Sequence, residues 1–213
     1  MSRKKKFKRV LLCALLISLP LLSMTSTIEH NINSDKVEMC NINDDSILLA
    51  KSLEFKNLCI QQKKDSVKDI LINEVEEYIF DIAPKTNKNI PMYLVEHALN
   101  YNIDLAFMMA QTQIETIFGT VGVGRESSRH SLFGVAIKKY MNYELAINDY
   151  CKILKKYYLT HGRTEQHLLQ LYVTTSGARY AENPNYEVLL RKAYKTIINN
   201  TNIKNLQLKY NVE

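Results

Sequence analysis

From Ser66 to Ile82 the apolar residues Val67, Ile70, Leu71, Val75, Tyr78, Ile79 and Ile82 recur at helical spacing, and Pro84 ends the run. That periodicity, repeated along the chain, constrains the fold more than any other feature. Ser46 to about Gln62 carries Leu48, Leu49, Leu53, Phe55, Leu58 and Ile60 among charges and reads as a helix of its own. Pro91 opens another that runs to about Asn100, because a proline is tolerated in the first turn. Asp104–Phe118 follows, closed by Gly119 as its expected C-cap. Gly119–Ser131 holds three of the six glycines and no periodicity, and Leu132–Ile137 is a short apolar stretch, a strand or a turn of helix. Tyr143–Leu159, about Glu165–Val173 and Tyr186–Ile198 complete the helical pattern, with a polar loop over Thr174–Asn185 and a frayed tail over 201–213. Strand signals are nearly absent, so the expected fold class is all-α, in a domain long enough to bury its own core.

The net charge of +6 invites a polyanionic partner, but its distribution removes that reading. Six of the 28 basic residues, Arg3, Lys4, Lys5, Lys6, Lys8 and Arg9, stand in the first ten positions, and the remaining 22 face 22 acidic ones. No nucleic-acid or lipid-binding face is expected. The basic start precedes the apolar run Val10–Leu22, broken by Ser18 and Pro20, with small residues at Ser23, Thr25 and Ser26. This is the pattern of a secretory signal. The run is short of the ~20 apolar residues a spanning helix needs, so cleavage is favoured over anchoring and no stable membrane span is expected afterwards. The chain therefore divides into a signal peptide (1–25), a linker with an N-terminal helical extension (26–65), the main domain (66–200) and a C-terminal tail (201–213). The destination is outside the cytoplasm, secreted, periplasmic or in the cell envelope.

Three cysteines remain after such a cut: Cys40, Cys59 and Cys151. An odd number cannot all pair internally. Cys40 with Cys59 is one possible bridge, and Cys151 in a periodic segment reads as a small buried apolar residue. His30, His97, His130, His161 and His167 are scattered without metal-ligand spacing, so neither a metal nor a cofactor is expected.

On the Asp104–Phe118 helix, Glu115 shares a face with Met108, Gln111 or Thr112, and Phe118. Apolar neighbours and the negative end of the helix dipole both oppose a carboxylate there. A carboxyl kept protonated near neutrality is what a general acid requires. Periodicity alone leaves the ordinary reading open, since most helix glutamates are simply solvated.

The wording around it is more informative. Ala106–Gly119 reads A-F-M-M-A-Q-T-Q-I-E-T-I-F-G, then G-V-G-R-E-S-S-R-H-S-L-F-G-V from Gly122, and further on G-A-R-Y-A-E-N-P-N-Y from Gly177. These three motifs, in this order over roughly Ile90–Ile198, resemble the glucosaminidase family of bacterial peptidoglycan hydrolases, which have a lysozyme-like fold. The resemblance implies a helical lysozyme-like domain that hydrolyses β-1,4 bonds after N-acetylglucosamine in peptidoglycan or a related glycan. It implies Glu115 as general acid and Tyr180 beside the cleaved sugar. Gln111, Ser131, Phe133, Gly134 and Tyr186 are implied on the substrate side. Read as residues, Tyr180 and Phe133 are equally at home in a core. Ser131 stands where the family often has Asn. Only Ala136–Asn142 separates Val135 from the next helix, so the family's β-rich lobe is much reduced. Glycosidases typically use two carboxylates. Glu126 is the first candidate for the second, ahead of Glu144, which suits a helix first turn, and Glu182, a loop charge. The substrate's own N-acetyl group is the alternative. Two further functions stay open: a lytic transglycosylase, although its G-L-M-Q and A-Y-N-x-G motifs are not present, and an inactive glycan-binding envelope protein.

Overall fold

The computed structural model describes residues 44–126, 129–134 and 138–212. The signal run, the 26–43 linker with Cys40, and Val135–Ile137 lie outside the described residues. Eight α-helices are described: α1 (Asp44–Ile82), α2 (Ile90–Tyr101), α3 (Leu105–Thr116), α4 (Gly122–Arg125), α5 (Tyr143–Ile153), α6 (Glu165–Gln170), α7 (Tyr186–Asn200) and α8 (Ile203–Val212). A π-helical turn, Leu154–Tyr158, continues α5. Among the described residues there is no strand, only an isolated antiparallel bridge between Val173 and Arg179. The fold is all-α, without a β-lobe among the described residues. No described helix is long and apolar enough to cross a membrane.

The unit Leu48–Glu213 holds all the packing considered below. At its centre runs α3, whose residues Leu105 to Thr112 are buried without a break. A helix apolar all round has to be enclosed, and α2, α7 and α8 pack around this one. Leu71, Val75 and Ile79 of α1, at strict four-residue spacing, close the same core, and Val67 one turn earlier is also buried. α5 packs on α2 through Ile147 and Tyr150, and α6 packs on α7 through Leu168 and Leu169.

Three expectations change. The two helices expected over Ser46–Gln62 and Ser66–Ile82 are one, because residues 44–82 contain neither proline nor glycine to interrupt the backbone ladder. The expected tail is α8, with Ile203 and Gln207 buried. Gln207 accepts from the Leu105 amide (2.9 Å) and donates to the Ile103 carbonyl (2.6 Å), so it satisfies backbone groups at the start of α3. The helix expected over Glu165–Val173 stops at Gln170, because residues from Leu171 onward leave helical geometry to form the hairpin bridged at Val173 and Arg179. Cys151 is buried and lies 3.9 Å from the Met108 sulfur, and burial pushes its thiol up to about 12.

Candidate active site

The site begins where α3 ends. The helix stops at Thr116, and Ile117, Phe118 and Gly119 all adopt positive φ (46°, 53° and 81°). The C-cap is Ile117, two residues ahead of the expected Gly119. A β-branched residue rarely accepts this conformation. Here the surroundings impose it: the Phe118 ring is fully buried edge-on to Tyr78, and the Phe118 carbonyl accepts from Thr86 Oγ1 at 3.0 Å. Thr116 Oγ1 accepts from the Gly119 amide (3.0 Å) and donates to the Leu132 carbonyl (2.9 Å). The last turn of α3 is thereby tied to the Leu132–Gly134 turn, and this tie sets what stands against Glu115.

Glu115 is half-buried. Tyr186, in the first turn of α7, donates its hydroxyl to Oε1 at 2.6 Å. Its other oxygen lies over Gly134, where a β-carbon would come within 2.2 Å of Oε2. Gly134 also has φ of +70°, so two independent demands keep a side chain out. Burial holds the Glu115 carboxyl above its ordinary range, and the Tyr186 hydroxyl pulls part of the way back.

Aromatic rings surround this carboxyl. Tyr180 packs at 5.4 Å from Tyr186 and stacks on Tyr172 at 4.3 Å and 8°. Its hydroxyl donates to the Phe133 carbonyl at 2.5 Å. Phe133 in turn stacks on Tyr150 at 3.6 Å and 4°. The π turn after α5 brings Tyr158 to 5.1 Å from Tyr172 and 6.2 Å from Tyr180. Burial raises Tyr180 and Tyr186 far above the usual phenol range, so both hydroxyls act as neutral donors at any working pH.

The other expected residues fall in different places. Gln111 is 0% exposed and accepts from Tyr172 at 3.0 Å and from Tyr150, which puts it beneath the carboxyl's surroundings and not on a substrate-facing surface. A position one turn before Glu115 on a fully enclosed helix faces inward. Ser131, Phe133 and Tyr186 are buried, while Tyr180 is partly buried. Glu126 is an exposed carboxylate just past α4, ion-paired to Arg129 at 2.8 Å. Glu144 and Glu182 are exposed as well.

Two groups escaped the sequence reading. Tyr150 and Tyr172 count as helix-core residues by spacing, and nothing in the sequence marks them as sharing one acceptor. Glu187, 6% exposed, takes both oxygens to Arg179 at 2.8 Å and accepts from the Tyr172 amide at 3.1 Å. It locks the 172–180 hairpin to α7 and so fixes Tyr180 relative to Tyr186. Its place in the first turn of α7 suggests only a helix-dipole role, which is why it was invisible.

Against this geometry, comparison with curated proteins returns no match. A family model, described as mannosyl-glycoprotein endo-beta-N-acetylglucosaminidase, matches residues 92–199, which contain Glu115, the Leu132–Gly134 turn, Tyr180 and Tyr186. The chain belongs to the glucosaminidase family, glycosidases that act on glucosamine-containing glycans.

Proposed function

We propose that the protein is an exported peptidoglycan hydrolase that cleaves the β-1,4 bond after N-acetylglucosamine, with Glu115 as its general acid. The observation that carries this reading is the Glu115 carboxyl itself: half-buried, raised by burial, one oxygen held by Tyr186 and the other beside a glycine. A carboxyl in that state donates its proton to the bridging oxygen as the C1–O bond breaks. Water then supplies hydroxide to the anomeric carbon, and its remaining proton returns to Glu115.

The nucleophile in this reading is the substrate's own N-acetyl oxygen, which attacks C1 and is displaced by water. Glu126 supports that choice, since it is exposed and engaged by Arg129. Tyr180, partly buried, offers the accessible part of its side chain to the sugar. The same observation keeps lytic transglycosylation as the second reading, because that reaction also needs a single acid and closes the sugar on its own hydroxyl.

Product analysis decides between them. Digestion of purified peptidoglycan should yield reducing N-acetylglucosamine ends by mass spectrometry. Anhydro-muramyl ends, lighter by one water, would establish the transglycosylase instead. Glu115→Gln should lower turnover by at least ~10²-fold, and Glu126→Gln should do less. Equal loss in the two variants would assign the nucleophile or base to Glu126.

A further inference from the structure

Gln111 makes no contact with solvent, yet its amide joins two of the rings that pack beneath the Glu115 site, Tyr150 and Tyr172. Its Oε1 accepts the hydroxyls of both Tyr150 and Tyr172, which stand 3.3 Å apart. Each tyrosine ring carries one partner of the hydrogen bond that closes the site. Tyr150 stacks on Phe133, whose carbonyl is the acceptor, and Tyr172 stacks on Tyr180, whose hydroxyl is the donor. The connections form a ring: Gln111, Tyr150, Phe133, Tyr180, Tyr172 and back to Gln111. Phe133 leads directly into Gly134, the residue over the Glu115 carboxyl. An apolar side chain of similar volume would fill the same space, so what the amide adds is a shared acceptor for the two buried hydroxyls whose rings carry the turn and Tyr180.

We propose that Gln111 is a positioning residue of the reaction, which acts through Tyr150 and Tyr172 to hold the Phe133–Gly134 turn and the Tyr180 ring in register against Glu115. This rests on the reading of Glu115 as the acid. The ring fixes the turn at both ends of one hydrogen bond, and losing it lets Gly134 and Tyr180 drift relative to the carboxyl. Misplacement of about 1 Å at a reacting group costs up to ~10²-fold in rate.

The test uses the purified protein on peptidoglycan, with Gln111→Met, Tyr150→Phe and Tyr172→Phe, singly and combined. Gln111→Met should lower kcat by about 10- to 100-fold with KM little changed, and should move the pH profile of kcat/KM. In a Tyr150→Phe/Tyr172→Phe background the same substitution should cost almost nothing more, since the route it acts through is already cut. A folded Gln111→Met protein with normal kcat and pH profile would overturn the proposal, as would an undiminished cost in the double-Phe background. If Gln111→Met does not fold, the two Phe variants decide: both lowering kcat supports the ring, and wild-type kcat in both refutes it. Glu115→Gln is the control that separates the two levels. If it stays active, the reading of the acid has failed; if it is inactive while the Gln111 and Tyr variants behave normally, only the positioning role has.

Discussion

At Glu115 two influences oppose each other. Burial disfavours the charged carboxylate, and the Tyr186 hydroxyl favours it. The raised pKa has a consequence for stability with a definite sign. Below the ordinary value of 4.5 the group is neutral in folded and unfolded chains alike, and no penalty arises. As pH rises through the folded value, the unfolded chain ionises more readily and stability is lost. Glu115→Gln should therefore raise the melting temperature at neutral pH, and the gain should shrink to nothing towards pH 4. A gain that persists or grows in acid would contradict the burial argument. Tyr186→Phe probes the opposing influence. Removing the hydroxyl leaves burial less opposed, so the alkaline limb of kcat/KM should move to higher pH. An unmoved limb in a pH–rate series would show that Tyr186 does not act on the acid. At this scale Glu115 stood out in the sequence through its motif, since an acid at the dipole-negative end of a largely apolar helix is by itself open to the ordinary solvated reading. The burial of Gln111 did not, because it depends on rings contributed by α5 and by the Tyr172–Tyr180 hairpin.

Among the elements, α3 carries the candidate acid and its neighbours hold it still. Its C-terminal end is tied to the Leu132–Gly134 turn by Thr116, and its N-terminal end is held by Asp104, which accepts from the Phe107 amide, and by Gln207 of α8. Gln207→Ala would strand the Leu105 amide and the Ile103 carbonyl in a buried setting. The expected loss is about 1–2 kcal/mol, read as a lower urea midpoint with unchanged slope. No loss would mean that water replaces the glutamine freely. The starts of α2 and α5 were legible, since Pro91 and the capping Asn142 are local signals, whereas α5 ends at Ile153 in a π-helical turn and not as one helix to Leu159. α8 was missed for the converse reason: Ile203, Leu206 and Gln207 form too short a pattern to stand out until α3 supplies the surface they cover.

For the molecule as a whole, the asymmetry of charge bears on where it works. Six basic residues precede the apolar run, and the remainder of the chain is balanced. Expressed in a bacterium, the protein should accumulate outside the cytoplasm with a new N-terminus near Ser26. An intact Met1 on envelope-bound protein would identify an anchor instead.

The sequence by itself determined the helical class, the place of the candidate acid and the family, because periodicity, helix punctuation and motif order are local properties of the chain. It did not determine which apolar residues are buried. Along α1 similar spacing continues from Leu49 to Ile79, yet Leu49 and Phe55 are 72% and 70% exposed while Leu71 to Ile79 close the core. Nor did it determine that Tyr150, Tyr172 and Gln111 share one hydrogen-bonded centre under Glu115, or that Glu187 clamps the hairpin bearing Tyr180. Those facts belong to the tertiary structure, because burial and shared hydrogen bonds exist only when a second element arrives, and spacing along one helix carries no record of its partner.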